Sequence, residues 1–320
     1  MRTAPAMTGS DWPDSDALRD ALRAEEVQSQ ASMAMLPHLL QETDDSLHTE
    51  AIVAHMRGLL RSLAIELLTD LAEASGEKAR DVFVASRVTA LVDRLAANAL
   101  VIEHAHHRAL EWRIGRIVEE RLHLDGVLSP LLQTFVGDED QFVASTAMAV
   151  LAAQTRFSQA ERRRELNTKD LPLEVLGAAL SALRAEAEDI SDDAFMRTEQ
   201  KVSSRFDESA TRLSLLERLF GLRADRRGDW LQLDQAGPAL FLTALAQSTR
   251  QSRSTVAAAC VTQSQARLAL SLRAAGMRPE PVERQCRLLA PDREPPRGLE
   301  DVGTREALQM LGGDRQGRMR

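Results

Sequence analysis

The chain has 320 residues, 40 of them basic and 48 acidic, and a formal net charge of −8 at pH 7. Its composition, 44% apolar and 28% charged, is that of a globular protein, and the acidic balance argues against a dedicated binder of nucleic acid or anionic membranes, because either would benefit from a positive field. No stretch approaches the roughly 18 apolar residues of a membrane span, the first residues lack the apolar core of a secretory signal, and two cysteines cannot form a disulfide framework, so we expect a cytoplasmic protein.

The first quarter of the chain predicts two helices. Residues 1–13 are rich in Pro, Ser and Thr and are expected to be disordered. A helix is predicted over residues 14–31, with an interruption at Pro37. Apolar residues then recur every three or four positions over residues 52–71, which predicts a long amphipathic helix that ends at Gly76.

The middle of the chain continues the helical pattern. The apolar period extends over residues 78–123, which is too long for one globular helix, so a break is expected near residues 97–101. The acidic segment 186–193 is the best candidate for a linker. The remaining predicted helices cover residues 127–136, 139–165, 170–188, 195–220, 235–248, 252–264, 265–275 and 280–289.

No stretch alternates apolar and polar residues with the period of two that a half-buried strand requires, so we predict an all-α fold of roughly ten to twelve helices. Residues 144–154 can be aligned with residues 253–263, and both segments follow a predicted short helix that starts at a proline, Pro130 or Pro238. A short helix, a break and a longer helix form the unit of helical-repeat stacks. Two architectures stay open, an irregular multi-helix bundle and a HEAT-like helical-repeat stack.

Composition divides the chain into parts. Residues 14–190 form an N-terminal helical part and residues 191–290 a C-terminal helical part, and the two are either separate or one continuous domain. Pro, Gly, Arg and Asp dominate from residue 291 onwards. Residues 291–320 are therefore predicted to be a disordered tail, with one or two helical turns near residues 305–311.

One stretch resembles a known family. The sequences Phe241-Leu-Thr-Ala-Leu-Ala and Arg267-Leu-Ala-Leu-Ser-Leu-Arg-Ala-Ala-Gly276 resemble the C-terminal end of an uncharacterised family of bacterial all-helical, HEAT-like proteins. The resemblance covers residues 241–276 only. It implies a fold of stacked helices, and it assigns no catalytic or binding residue to this chain.

Histidines and glutamates cluster between residues 103 and 123. Two Glu-x-x-His pairs, Glu103 with His106 and Glu120 with His123, have the spacing by which helical carboxylate proteins hold two irons. In such proteins the pairs come from helices that face each other. Here the two pairs lie on one predicted helix, about 25 Å apart along its axis, and would not meet.

A single-metal alternative uses one helix face. Glu103, His107 and Glu111 follow one another at steps of four residues, and zinc would accept an imidazole and carboxylates. Glutamate–histidine pairs at this spacing are common on exposed helices. We therefore favour a solvated face that holds no metal, and we expect no cofactor.

A phosphotransfer histidine is a further hypothesis for the same region. A nucleophilic imidazole must be exposed and must lie near a positive group. In the sequence, Arg57 lies near His55 and Arg108 lies next to His107. Many histidines in an arginine-rich helix would meet this condition.

Residues 254–276 permit a helix-turn-helix interpretation, with Gln265, Arg267 and Arg273 on the second helix. Leucine and alanine leave that helix little polar face, and the chain is acidic, so we expect no nucleic-acid partner. Cys260 lies among alanines and valines and is predicted to be a buried thiol rather than a nucleophile.

An apolar stripe is predicted on the helix over residues 195–220. It would pack against the rest of the chain or form a seam between two chains. We favour internal packing and a monomer. The stripe consists of Phe195, Val202, Phe206, Leu213, Leu216 and Phe220.

The sequence contains no glycine-rich phosphate loop, no nucleophile elbow and no His-Glu-x-x-His motif. We therefore expect a non-enzymatic protein that presents helical surfaces to another protein, as an interaction module or regulatory adaptor with an unknown protein partner. The alternatives are a signalling or transcriptional regulator, using a phosphotransfer histidine or residues 254–276, and a helical metal-binding protein that uses the cluster at residues 103–123.

Overall fold

The structure, a computed structural model, describes residues 14–41, 50–262 and 264–317, and within these residues the chain forms fifteen α-helices and no strand. The predicted all-α class is confirmed. The helix count exceeds ten to twelve because the predicted helix over residues 195–220 is divided in two, and because two further helices form at Arg227–Trp230 and Thr304–Gly317. The predicted disorder of residues 1–13 lies outside the described residues. No helix among the described residues combines the length and apolar character needed to cross a membrane.

In chain order the helices are α1 (Asp14–Gln41), α2 (Glu50–Ser75), α3 (Arg80–Ala97), α4 (Ala99–Leu122), α5 (Pro130–Val136), α6 (Gln141–Arg163), α7 (Leu173–Glu186), α8 (Asp192–Ser204), α9 (Arg212–Leu222), α10 (Arg227–Trp230), α11 (Leu233–Thr249), α12 (Arg253–Val261), α13 (Ala266–Ala274), α14 (Pro279–Leu289) and α15 (Thr304–Gly317).

Two hydrophobic clusters form the interior. The N-terminal cluster surrounds α2 and includes side chains from α3, α7 and α8. Leu59, Leu63 and Leu67 of α2 are completely buried in it, as their spacing of four residues predicts. The C-terminal cluster holds α5, α6 and α9 to α15, with Trp230 near its centre, where its ring lies 5.5 Å from that of Phe135.

Helix α4 belongs to both clusters. Its first half contributes Val101 and Ala105 to the N-terminal cluster, and its second half contributes Ile114 and Val118 to the C-terminal cluster. Helix α1 also reaches both, since Leu18 packs in the C-terminal cluster while Leu36 of the same helix packs in the N-terminal one. The middle of α4 is therefore the place where the two clusters meet.

The predicted break between residues 97 and 101 is confirmed at Asn98, between α3 and α4. Asn98 has extended backbone angles, and its side-chain oxygen accepts hydrogen bonds from the backbone N–H groups of Leu100 and Val101. Such an N-cap supplies acceptors for N–H groups that have no partner inside the helix. It also sets the direction in which α4 leaves α3.

One of the predictions about prolines is wrong and another is confirmed. Helix α1 does not stop near Ala31, because it continues past Pro37 to Gln41. A helical segment does start at Pro238, because Gly237 is non-helical and divides α11 at that point. There φ is +66°, and a Cβ atom would lie 3.0 Å from the Cβ of Ser129, so both the backbone angle and the close approach favour glycine.

The predicted disordered tail at residues 291–320 is also wrong for the part that the structure describes. Leu299 and Val302 are buried, and α15 packs on α13 through Ala307 and Leu311. Arg273 of α13 donates hydrogen bonds from Nε and Nη2 to the carbonyl oxygen of Val302, at 3.0 and 2.5 Å. A few scattered apolar residues are enough to dock this segment because α13 offers them an apolar surface.

The stripe predicted over residues 195–220 does not lie on one helix. Helix α8 ends at Ser204 and α9 begins at Arg212, after a turn in which Asp207 accepts a hydrogen bond from the N–H of Ser209. The members of the stripe are therefore divided: Phe195, Val202 and Phe206 pack with the N-terminal cluster, and Leu213, Leu216 and Phe220 with the C-terminal cluster.

The predicted linker at residues 186–193 lies between two helices, α7 and α8, that both pack in the N-terminal cluster. Helix α8, which follows that segment, packs on α2 together with helices that precede it. Arg94 donates a hydrogen bond to Glu186 at 2.8 Å, which attaches the segment to α3. The division of the chain into folding units at residue 190 remains a prediction.

Candidate functional site

Five charged side chains lie in the interior where the two clusters meet. Arg108 and Glu111 come from the middle of α4 and Glu161 from the end of α6, and each is at most 4% exposed. Arg212 and Arg253, the first residues of α9 and α12, reach the same place. Buried charges are costly unless they are paired, so their partners define what this junction can do.

Glu111 is the centre of one half of the junction. Arg212 donates hydrogen bonds to both carboxylate oxygens of Glu111, from Nη2 to Oε1 and from Nη1 to Oε2, the latter at 3.3 Å. Arg253 donates from Nη2 to Oε1 at 3.0 Å, and from Nη1 to the hydroxyl of Thr243 at 2.6 Å. Gln154 accepts a hydrogen bond from Arg212 Nε at 2.7 Å. One carboxylate of α4 thereby ties α9 and α12 together.

Glu161 is the centre of the other half. Its Oε1 accepts a hydrogen bond from Nε of Arg108 at 2.6 Å, and its Oε2 lies 2.5 Å from Nε2 of His55 on α2. The imidazole of His55 stacks on the indole of Trp112, with ring centroids 4.4 Å apart. This half joins α2, which belongs to the N-terminal cluster, to α4 and α6.

Phe157 connects the two halves. The guanidinium carbon of Arg212 lies 3.6 Å from the centre of its ring and that of Arg108 lies 4.9 Å from it. Both cations therefore approach the electron-rich ring, which favours them where water is scarce.

Two cavities flank this ion network. Cavity A, about 190 Å³, lies towards α9 and is lined by Arg108, Arg212 and the imidazoles of His104 and His107. Cavity B, about 360 Å³, has Glu111, Glu161, His55 and Trp112 in its wall. The guanidinium side of the network therefore faces cavity A, and its carboxylate side faces cavity B.

The network sets the charge states of its neighbours. Burial by itself would raise the pKa of Glu111, but Arg212 and Arg253 outweigh that effect and hold the pKa well below its usual value. Burial lowers the pKa of His107 to about 3 despite the nearby Glu111 carboxylate, and burial together with Arg108 lowers the pKa of His104. Both imidazoles are therefore neutral at pH 7.

The chain matches no known protein-family model, no curated protein and no solved structure. The resemblance of residues 241–276 to HEAT-like proteins therefore remains a prediction. The function must be inferred from the geometry of this chain alone.

The candidate metal ligands of the sequence do not come together in the structure. Glu103, Glu120 and His123 are exposed, and Glu120 pairs with Arg116. Within the part of the chain that the structure describes, no group of three or more potential ligands could hold a metal ion. His106 is half-buried on the same helix as the others.

The interpretation of Glu103, His107 and Glu111 as a solvated face is wrong for two of the three residues. His107 and Glu111 are buried, and only Glu103 is exposed, where its carboxylate accepts a hydrogen bond from Ser254 at 3.0 Å. The spacing of four residues correctly placed the three on one face of α4. It could not show that α9 and α12 cover that face.

The histidines proposed for phosphotransfer are not exposed. His55 is 1% and His107 7% exposed, whereas a phosphotransfer imidazole must reach a partner's phosphoryl group.

Helix α13, the second helix of the helix-turn-helix interpretation, lies inside the C-terminal cluster. Glu25 of α1 covers its N-terminus, where one carboxylate oxygen accepts from the N–H of Ala266 at 2.8 Å and the other from that of Arg267 at 3.1 Å. Arg273 binds backbone carbonyl oxygens. The helix therefore offers no face to a DNA groove.

Cys260 is buried, as predicted, and burial raises the pKa of its thiol well above the usual value. Burial likewise raises the pKa of the Cys286 thiol, to about 12. Neither thiol has the lowered pKa that nucleophilic cysteines need.

Sequence reasoning missed Gln154, Glu161, Arg212 and Arg253. None of them belongs to a motif, and the chain has many arginines and glutamates of the same kind.

Proposed function

We propose that this chain is a non-enzymatic, cytoplasmic regulatory adaptor that binds an amphipathic helix of a partner protein. The observation that carries the proposal is the outward face of α6. Between Gln141 and Thr155 this surface helix contains no charged residue, although 28% of the whole chain is charged.

The exposed side chains of this face are Gln141, Phe142, Ser145, Met148 and Ala152. Phe142 is 60% and Met148 51% exposed, while the residues between them are small. A surface helix normally turns charged residues towards water, and contiguous uncharged surface marks interaction sites. Small residues between two large apolar ones also suit ridge-and-groove packing of a second helix.

The state of the interior groups supports a non-enzymatic role. Glu111 is ionised and held by two arginines, His104 and His107 are neutral with lowered pKa values, and the Cys260 thiol has a raised pKa. General acid–base catalysis favours groups whose pKa lies near the working pH.

The test compares two double substitutions of exposed apolar residues. Phe142→Ser with Met148→Ser alters the α6 face, and Leu173→Ser with Met196→Ser alters residues that are 57% and 56% exposed elsewhere. Both variants should keep the helical circular dichroism of the wild type. We expect proteins from the native cell to be retained by the wild type and the control and to be lost by the α6 variant.

Equal retention by all three proteins would contradict the proposal. Light scattering adds a second check, since we expect a monomer in each case. A wild-type dimer that the α6 substitutions convert into a monomer would show that the face binds a second copy of this chain, which would also contradict an adaptor role.

A further inference from the structure

We propose that cavity A binds a small zwitterion, an amino acid with an apolar side chain, whose carboxylate lies inside against Arg108 and His104 and whose ammonium group lies at the mouth. The site is independent of the α6 face.

The inner end of cavity A carries positive charge. Arg108 and Arg212 line it, whereas Glu111 and Glu161, the carboxylates with which they pair, line cavity B, and Arg253 shares Glu111 with Arg212. Three guanidinium groups thus share two carboxylates in a largely buried place, where an extra charge is unfavourable. A carboxylate in the cavity would supply the missing negative charge next to two of the three guanidinium groups.

The inner end also has hydrogen-bond donors without acceptors. Arg108 contacts Glu161 through Nε and Nη2, and among the described residues no hydrogen bond engages its Nη1. Nε2 of His104 is buried and has no partner in the same part of the chain. Buried polar groups are nearly always hydrogen-bonded, and an acceptor in the cavity would give both nitrogens a partner that the described residues do not supply.

The mouth of the cavity has the opposite charge. Asp170, Glu208 and Glu217 are exposed and line it, together with one cation, Arg156. None of these four side chains forms an ion pair within the described residues. Three carboxylates against one guanidinium would repel a simple anion at the entrance, and they would attract an ammonium group.

The lining of the cavity also includes apolar side chains. They are those of Phe157 and Leu213, with the small residues Ala153 and Ala210 among the other lining residues. A volume of about 190 Å³ holds several water molecules and is suited to a molecule of amino-acid size. The positive inner end of the cavity matches the carboxylate of an amino acid, and the negative mouth matches its ammonium group. The apolar side chains of the lining match its side chain.

The first experiment is calorimetric titration of the full chain with alanine, valine, leucine and phenylalanine, and with two analogues of leucine. The analogue 4-methylpentanoate lacks the amino group, and 3-methylbutylamine lacks the carboxylate. We expect one of the amino acids to bind at one site per chain. If it is leucine, 4-methylpentanoate should bind about tenfold more weakly, because one charge-assisted contact is lost, and the amine should not bind.

Failure of all four amino acids to bind would overturn the proposal. So would an amine or a carboxylate analogue that binds as tightly as its parent amino acid, because one end of the cavity would then play no part.

The second experiment separates the two ends by substitution. His104→Leu should weaken binding about tenfold and leave the melting temperature unchanged or higher, since it removes a buried polar atom without a partner. Glu208→Gln with Glu217→Gln should weaken binding of the amino acid but not of its carboxylate analogue. Glu199→Gln, an exposed residue of α8 away from the cavity, is the matched control. Unchanged affinity in both test variants would overturn the assignment.

Discussion

Helices α2 and α4 are the two long central helices of this protein, and their interiors differ. The inward face of α2 is mainly a row of fully buried leucines, with His55 and Asp70 as its buried polar residues, whereas the inward face of α4 carries Arg108 and Glu111 among its apolar residues. Helix α2 stabilises one cluster mainly by excluding water, and its His55 contacts Glu161 of α6. Helix α4 is held to α6, α9 and α12 by directional ion pairs, and directional contacts fix the relative position of helices more tightly than apolar packing does.

The largest effect is expected where the charge of α4 is removed. Glu111→Ala would leave Arg212 and Arg253 buried without their carboxylate, which should lower the free energy of unfolding by about 3–5 kcal/mol. Chemical denaturation measures the change. Glu103→Ala on the same helix is the control, because Glu103 is exposed, and it should have little effect.

A triple substitution tests whether the ion pairs of α4 contribute more than the desolvation of their charges costs. Replacing Glu111, Arg212 and Arg253 together by leucine, methionine and methionine makes the interior of α4 resemble that of α2. We expect the triple variant to be at least as stable as the wild type, because no buried charge then lacks a partner. A loss as large as that of Glu111→Ala would show that the ion pairs contribute more than their own desolvation costs.

The interior of α2 should respond according to the apolar volume removed. Leu63→Ala deletes a fully buried side chain and should lower the free energy of unfolding by about 2–5 kcal/mol. Ile65→Ala, two residues further along the helix, removes a side chain that is 38% exposed and should cost clearly less. Equal losses from the two variants would contradict the described orientation of α2.

The free energy of unfolding should depend on pH because of His107 on α4. The pKa of His107 is about 3 in the folded chain and 6.5 when unperturbed, so the unfolded state binds more protons between these values. Stability should therefore be fully present above pH 6.5 and fall as the pH decreases, by up to about 1.4 kcal/mol per unit. His107→Gln should reduce the slope of stability between pH 6.5 and 5, while His123→Gln, at an exposed position, should leave it unchanged.

The smallest expected effect concerns the start of α4. Asn98→Ala removes the acceptor for the N–H groups of Leu100 and Val101 and should cost about 1 kcal/mol. Asn98→Asp keeps the acceptor and should cost less. Thermal unfolding of the two variants side by side checks the prediction, and identical melting temperatures would contradict the capping role.

Local sequence features predicted part of this structure. The leucine spacing of α2 was sufficient to predict its buried face, and the length of the pattern over residues 78–123 was sufficient to predict the break at Asn98. The predictions failed where a distant segment decides the outcome. The tail became α15 because α13 provides a surface for it, and the stripe over residues 195–220 was divided by a turn between two clusters.

The sequence likewise predicted only part of the candidate site. The period of a helix placed His107 and Glu111 on one face of α4, because side chains four residues apart share a face. Whether that face met water or arginine depended on Arg212 and Arg253, which lie 101 and 142 residues further along the chain. The sequence alone determined the all-α class, since helical periodicity is local. Only the tertiary structure decided where the buried charges meet, because their partners are brought together by packing and share no pattern along the chain.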